Sequence, residues 1–102
     1  MIEDGFTVEH TVNQIGTNKN GVVFVDDFWT CRFVKTMVTP EQADQLMAEW
    51  KDHAINLNAR YSRMDPVVYD WHDEQAIDVS GKMYLSDAKS AAYLKLVYGG
   101  NL

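Results

Sequence analysis

The run Thr39-Pro40-Glu41-Gln42 constrains this chain more than any other four residues in it. Thr is a helix N-cap whose side-chain oxygen takes a backbone N–H, and Pro suits the first helical position, where its missing N–H would have gone unused. Gln at the third position completes the reciprocal bond of a capping box. At 100° per residue, Ala43, Leu46, Met47, Trp50, Ala54, Leu57 and Tyr61 then project within an arc of roughly 100°, with Trp50 near its middle. The pattern predicts an amphipathic helix of about 18 to 22 residues with one buried face. Asp65-Pro66 is expected to stop the chain from continuing as helix, because proline pushes its predecessor out of the α region.

The flanking segments read as the surface on which that helix packs. Phe6, Val8, His10 and Val12 alternate with Thr7, Glu9, Thr11 and Asn13, the period-2 pattern of a half-buried strand, and GTNKNG (16–21) supplies a hairpin turn. VVFV, the pair Asp26-Asp27 and FWTCRFVKTMV predict two more strands with the aspartates at a turn or bulge and with Trp29, Cys31, Phe33 and Met37 on one face. Beyond the helix, Val67 to Trp71 predicts a short strand, HDEQ (72–75) a loop and Lys82 to Leu85 another strand. Ser86-Asp87 resembles a second N-cap, with a helix running to Gly99. The expected fold is α+β: a single domain over residues 1–102 with an antiparallel sheet of four to five strands, approximately βββαββα, and the amphipathic helix on one face.

Composition narrows the function classes. With 46% hydrophobic residues among 102, the chain can bury one core without disulfides. Cys31 is the only cysteine, so no intrachain bridge forms and nothing points to an oxidising compartment; the reading is cytoplasmic or otherwise intracellular, or virion-associated. The start, MIEDGF, is acidic where a signal peptide would be basic, and the longest aliphatic and aromatic run, Val22 to Val25, is far too short to span a bilayer. A formal net charge of −6 speaks against direct nucleic-acid binding and against anionic membranes, both of which need clustered Lys and Arg. From Met64 to Gly81 there are five acids and no Lys or Arg, a distribution that favours a basic partner surface.

No residue set reads as catalytic, cofactor-binding or metal-ligating. In YDWHDEQ (69–75), His72, Asp73 and Glu74 are consecutive and diverge, so a metal would need ligands from elsewhere, such as Asp26, Asp27 or His10. Asp26-Asp27 could hold Mg²⁺, but the accompanying Glu49-Trp50-Lys51 lies on the helix with Glu49 and Lys51 about 160° apart. Gly16 and Gly21 mimic a phosphate loop, except that Val22-Val23 stand where Lys-Ser/Thr should follow. Cys31 falls mid-strand on the apolar face as an inert thiol, His10 reads as a core or edge histidine, and His53 as solvent-facing.

What remains is a recognition patch: Asp65, Tyr69, Asp70, Trp71, His72, Asp73, Glu74 and Asp78. Tyr and Trp give anchoring area and carboxylates pair with Lys or Arg, unless Tyr69 and Trp71 merely face inward together. The expectation is therefore a non-enzymatic inhibitor or adaptor that docks this segment onto the basic surface of a larger protein. The alternatives are a structural or decoration subunit that self-associates as a homo-oligomer and, third, a small metal-dependent enzyme. In size, acidity and lack of a recognisable active site, the chain resembles the small accessory proteins of tailed bacteriophages, among them inhibitors of host defence complexes and minor virion parts.

Overall fold

A computed structural model describes residues 4–71 and 74–99, with Trp71 defined by its backbone. The elements follow the order β1 (Gly5–Thr17), β2 (Val23–Val38), α1 (Pro40–Asn56), β3 (Tyr61–Trp71), β4 (Glu74–Leu85) and α2 (Ala88–Tyr98). The strands form one antiparallel sheet ordered β1-β2-β4-β3, an α+β architecture as expected.

The capping box forms as the sequence predicts. The Gln42 N–H donates to Thr39 Oγ1 at 3.2 Å and the Thr39 N–H to Gln42 Oε1 at 3.1 Å, with Pro40 opening the helix. The helix stops earlier than Pro66. Asn56 is its last residue, Leu57 caps it, and Asn58 takes a left-handed φ of 55° that turns the chain into β3. Tyr61 therefore leaves the predicted helical stripe and opens β3, while Pro66 sits within that strand; β3 is an edge, where a missing N–H is tolerated.

The strands are also longer than their sequence segments. β2 runs unbroken through Asp26 and Asp27, which pair with Asn13 and Val12, so no turn separates two strands there. Irregularities fall instead near Ile15 in β1 and at Thr36-Met37 in β2, where Met37 has a φ of 57° and points to solvent rather than into the apolar face. Two aspartates hold this second bulge: Asp4 accepts from the Thr36 N–H at 2.8 Å and Thr36 Oγ1 at 2.7 Å, and Asp78 accepts from the Met37 N–H at 2.9 Å. Glu74 and Gln75 belong to β4 rather than to a loop, opposite Trp71 and Asp70. The GTNKNG turn forms with Asn18 Oδ1 accepting from the N–H groups of Asn20 and Val22, and Gly21 supplies a φ of 80°. α2 runs from its cap at Asp87, whose carboxylate accepts from the Ser90 N–H, to Gly99, as predicted.

Both helices lie on one face of the sheet. Cys31 and Phe33 of β2, Ile77, Val79, Met83 and Leu85 of β4, Ala43 and Trp50 of α1, and Ala91 and Leu94 of α2 make a continuous core there. Trp50 is 1% exposed and lies over Gly81 of β4, where a Cβ would stand 2.9 Å from the indole. Among the described residues the opposite face carries no helix. The β1–β2 hairpin extends beyond the end of β4, and the β3–β4 hairpin extends the other way beyond the end of β2, so two ribbons project from opposite ends. The molecule measures 66 × 24 × 21 Å with a radius of gyration of 16.9 Å, against about 13 Å for a compact chain of this length.

Gly81→Val is expected to destabilise the domain by about 2 kcal/mol or more through overpacking against the indole, and Trp50→Ala by about 3–5 kcal/mol. Urea unfolding followed by circular dichroism measures both; an unchanged midpoint for Gly81→Val would mean that Trp50 does not rest on β4.

Candidate functional site

The recognition residues expected from sequence occupy the β3–β4 ribbon and its root. Tyr69 pairs with Ala76, Asp70 with Gln75, and Trp71 with Glu74 across the two strands. Tyr69 is 49% exposed, and Val67 and Val68 beside it are equally uncovered. Strand alternation puts Val67, Tyr69, Glu74 and Asp78 on the helix-free side and Asp70 on the other. Tyr69 thus faces solvent rather than the core. His72 and Asp73, expected in the patch, lie outside the described residues. Two of the predicted acids already have partners: Asp78 holds the β2 bulge, and Asp65 receives the Arg63 guanidinium at 2.8 Å. The Arg63–Asp65 pair lies in water, where it stabilises little.

The helix-free face carries a second constellation that spacing along the chain does not announce. Arg32, Lys82 and Arg63 sit directly across from one another on β2, β4 and β3. In the neighbouring row Tyr84 faces Tyr61, with ring centroids 5.1 Å apart, and Phe28 joins Tyr84 at 5.3 Å. Lys82 Nζ lies 5.2 Å from the Tyr84 ring, and the Arg60 guanidinium 6.0 Å from Phe28. Arg60 is also bound to Asp26 Oδ1 and Ser86 Oγ, each at 2.8 Å. The only sequence trace is a cation and an aromatic at even spacing on each strand: Tyr61 and Arg63, Lys82 and Tyr84, Phe28 and Arg32. Which strands lie side by side decides whether those pairs meet.

Asp26 and Asp27 do not converge. Adjacent strand residues point to opposite faces, and each carboxylate has its own neighbour: Arg60 for Asp26 and the His10 ring, at 3.4 Å, for Asp27. His10 lies flat on Trp29 with centroids 4.2 Å apart, an edge position that matches the sequence reading. His53, expected to face solvent, is half-buried between the helices, edge-on to Tyr93 and Tyr98 at 5.7 and 5.6 Å. Among the described residues no three His, Cys, Asp or Glu side chains are grouped to hold a metal ion, and no helix is long and apolar enough to cross a membrane.

Cys31 is fully buried between the sheet and the helices, and burial pushes its thiol up to about 11. Burial, followed by the nearby Glu49 charge, raises the Tyr98 phenol to about 12; its hydroxyl has no hydrogen-bond partner among the described residues. The class defined by this arrangement is a small α+β domain with one bare sheet face and two protruding ribbons. Compared with family models, with curated proteins and with solved structures, the chain shows no match to any.

Cys31 is expected to resist alkylation by iodoacetamide at pH 8 in the native protein and to react once the chain is unfolded in urea. The folded state keeps the Cys31 and Tyr98 protons to higher pH than the unfolded state does. Their contribution to stability is therefore complete below the ordinary thiol value near 9 and declines as pH rises through 9 to 11 for Cys31 and 10 to 12 for Tyr98. Urea midpoints at pH 8 and pH 10.5 check the sign; a higher midpoint at pH 10.5 would contradict it.

Proposed function

We propose that this domain is a non-enzymatic protein-binding module, an inhibitor or adaptor of intracellular type, that docks its β3–β4 ribbon onto a basic surface of a larger protein. The observation that carries the reading is the ribbon itself. A two-stranded hairpin is marginal in water on its own, yet here Tyr69 to Trp71 and Glu74 to Ala76 pair beyond the last β2 contact, Val38 with Ile77, and Val67, Val68, Tyr69, Asp70 and Glu74 are all exposed. Tyr69 supplies anchoring area and the carboxylates supply steering toward Lys and Arg. Asp70 and Glu74 lie on opposite sides of the ribbon, so a groove that grips it from both sides would use both.

The reading is tested by retrieving partners from the native host lysate with wild type and with the combined variant Tyr69→Ala, Asp70→Lys, Glu74→Lys. The expected result is a partner captured by wild type, weakened at least tenfold by 0.5 M NaCl and absent with the variant, whose circular dichroism and melting temperature stay close to wild type. Equal recovery by the variant would remove the ribbon as the docking element.

A second reading, a structural subunit of a larger assembly, is favoured by the other ribbon. Val12, Ile15, Val22, Val23, Phe24 and Val25 are exposed on the β1–β2 hairpin, and its tip holds Lys19 and no acid. Val23→Lys and Val25→Lys together would then reduce light scattering at millimolar concentration, whereas no change would count against assembly through that hairpin.

A further inference from the structure

The bare sheet face changes sign along its length. At its centre Arg32, Lys82 and Arg63 form a row; neither Arg32 nor Lys82 has an ion-pair partner among the described residues. Like charges set directly across strands destabilise a sheet, so this row gains from an external anion. Toward the β3–β4 ribbon the same face turns acidic, with Glu74 near the end beside Tyr69 and Val67. A polyanion such as nucleic acid would meet cations at the centre but carboxylates on the ribbon, on a chain whose net charge is −6. A surface carrying both signs in separate places fits an inverted copy of itself.

The dimensions agree. Eight residues along β4 separate Lys82 from Glu74, about 27 Å at the strand rise, and midway between them lies Asp78 opposite Val67. A two-fold axis running across the strands at that level sets Glu74 of one copy over Lys82 of the other, and the reverse, while Val67 meets Val67 and Asp78, whose carboxylate accepts from the Met37 N–H, meets Asp78. It also sets Tyr69 over the level of Asp65. There the face has a shallow depression of about 260 Å³ whose walls include Arg32, Val34, Asp65, Ser80 and Lys82, room for a phenol ring.

We propose that the bare face is the contact surface of a symmetric homodimer in which the β3–β4 ribbon of each copy lies over β3 and β4 of the other, at Arg63 and Lys82 of the basic row. The inference rests on the reading of that ribbon as a docking element, and names a second copy as one of its occupants; self-association then competes with a foreign basic partner. The overlap is about 30 Å long and for most of that length two strands wide, roughly 300 Å² per copy, well under half of the roughly 800 Å² per side of a standard stable interface. The dimer is therefore weak and salt-sensitive.

Analytical ultracentrifugation of the full chain from 1 to 300 µM, at 50 and 500 mM NaCl, tests it. Wild type is expected to dimerise at low salt, with Lys82→Glu and Glu74→Lys each weakening the dimer at least tenfold. Combining the two reversals in one chain recreates the pair with its signs exchanged and is expected to restore the dimer to within about threefold. Circular dichroism confirms that each variant is folded. Wild type that stays monomeric throughout, or a combined variant no better than the single ones, overturns the homodimer. A fluorescein-labelled single-stranded DNA 20-mer is titrated in parallel; binding by monomeric wild type that Lys82→Glu abolishes would give the row to nucleic acid and overturn it too. Loss of a foreign partner in Glu74→Lys while wild type is monomeric would leave the docking reading standing and remove only the second copy.

Discussion

The contact between Trp50 and Gly81 organises this fold. A tryptophan ring can lie close against a strand only where the strand has no side chain beneath it, and the absent Cβ of Gly81 would otherwise stand 2.9 Å from Cε2 of the ring and 3.0 Å from Met64 Cε. With that space left open, α1 settles near β4, one of the two inner strands, and the indole reaches Phe33 on β2 at 6.1 Å and Tyr98 at the end of α2 at 5.4 Å. Four elements thus meet at one side chain. The indole nitrogen has no partner among the described residues, so the site depends on shape and dispersion rather than on a hydrogen bond.

Placing both helices over the same part of the sheet leaves the remainder of the strands without cover. β2 has 16 residues and β4 has 12, but they pair with each other only from Trp29 to Val38 and from Ile77 to Leu85. The rest of each strand has a single neighbour and becomes one side of a ribbon. The core is thus concentrated along the stretch where β2 and β4 pair, and the ends of the 66 Å molecule have only pairing hydrogen bonds and exposed Val, Phe and Tyr side chains to sustain them. Such ends gain stability when something covers them, and the proposed binding role rests on this shape more than on any single residue.

Elements defined by local chemistry were legible in the sequence. The capping box at Thr39, the cap at Asp87, the Asn18 turn and the alternation of β1 all appear where the residues place them, because each is decided within a few positions of the chain. Extents were not. Asp26-Asp27 and Pro66 look like interruptions to a local reading, yet the carboxylate of Asp26 is accommodated by Arg60, 34 residues away, and Pro66 by the edge position of its strand. Both answers come from tertiary neighbours. The acid-rich ribbon was visible as composition, and its protrusion was not, since that depends on where β2 ends relative to β4.

The same limit explains why the net charge of −6 is a poor guide to this surface. Four of the nine basic residues, Arg32, Arg60, Arg63 and Lys82, come from different parts of the chain and reach one face through antiparallel pairing. Two of them are neutralised by Asp26 and Asp65, and two are left beside aromatic rings and open space. Like charges brought side by side repel, and at an exposed face solvent and salt screen that repulsion. Strand register therefore creates a local positive field within an acidic protein, 27 Å or so from a carboxylate on the same strand. Separation of sign on that scale follows from the order β1-β2-β4-β3: a different neighbour for β4 would scatter the row, and the face would then read as the uniformly acidic surface that composition suggests.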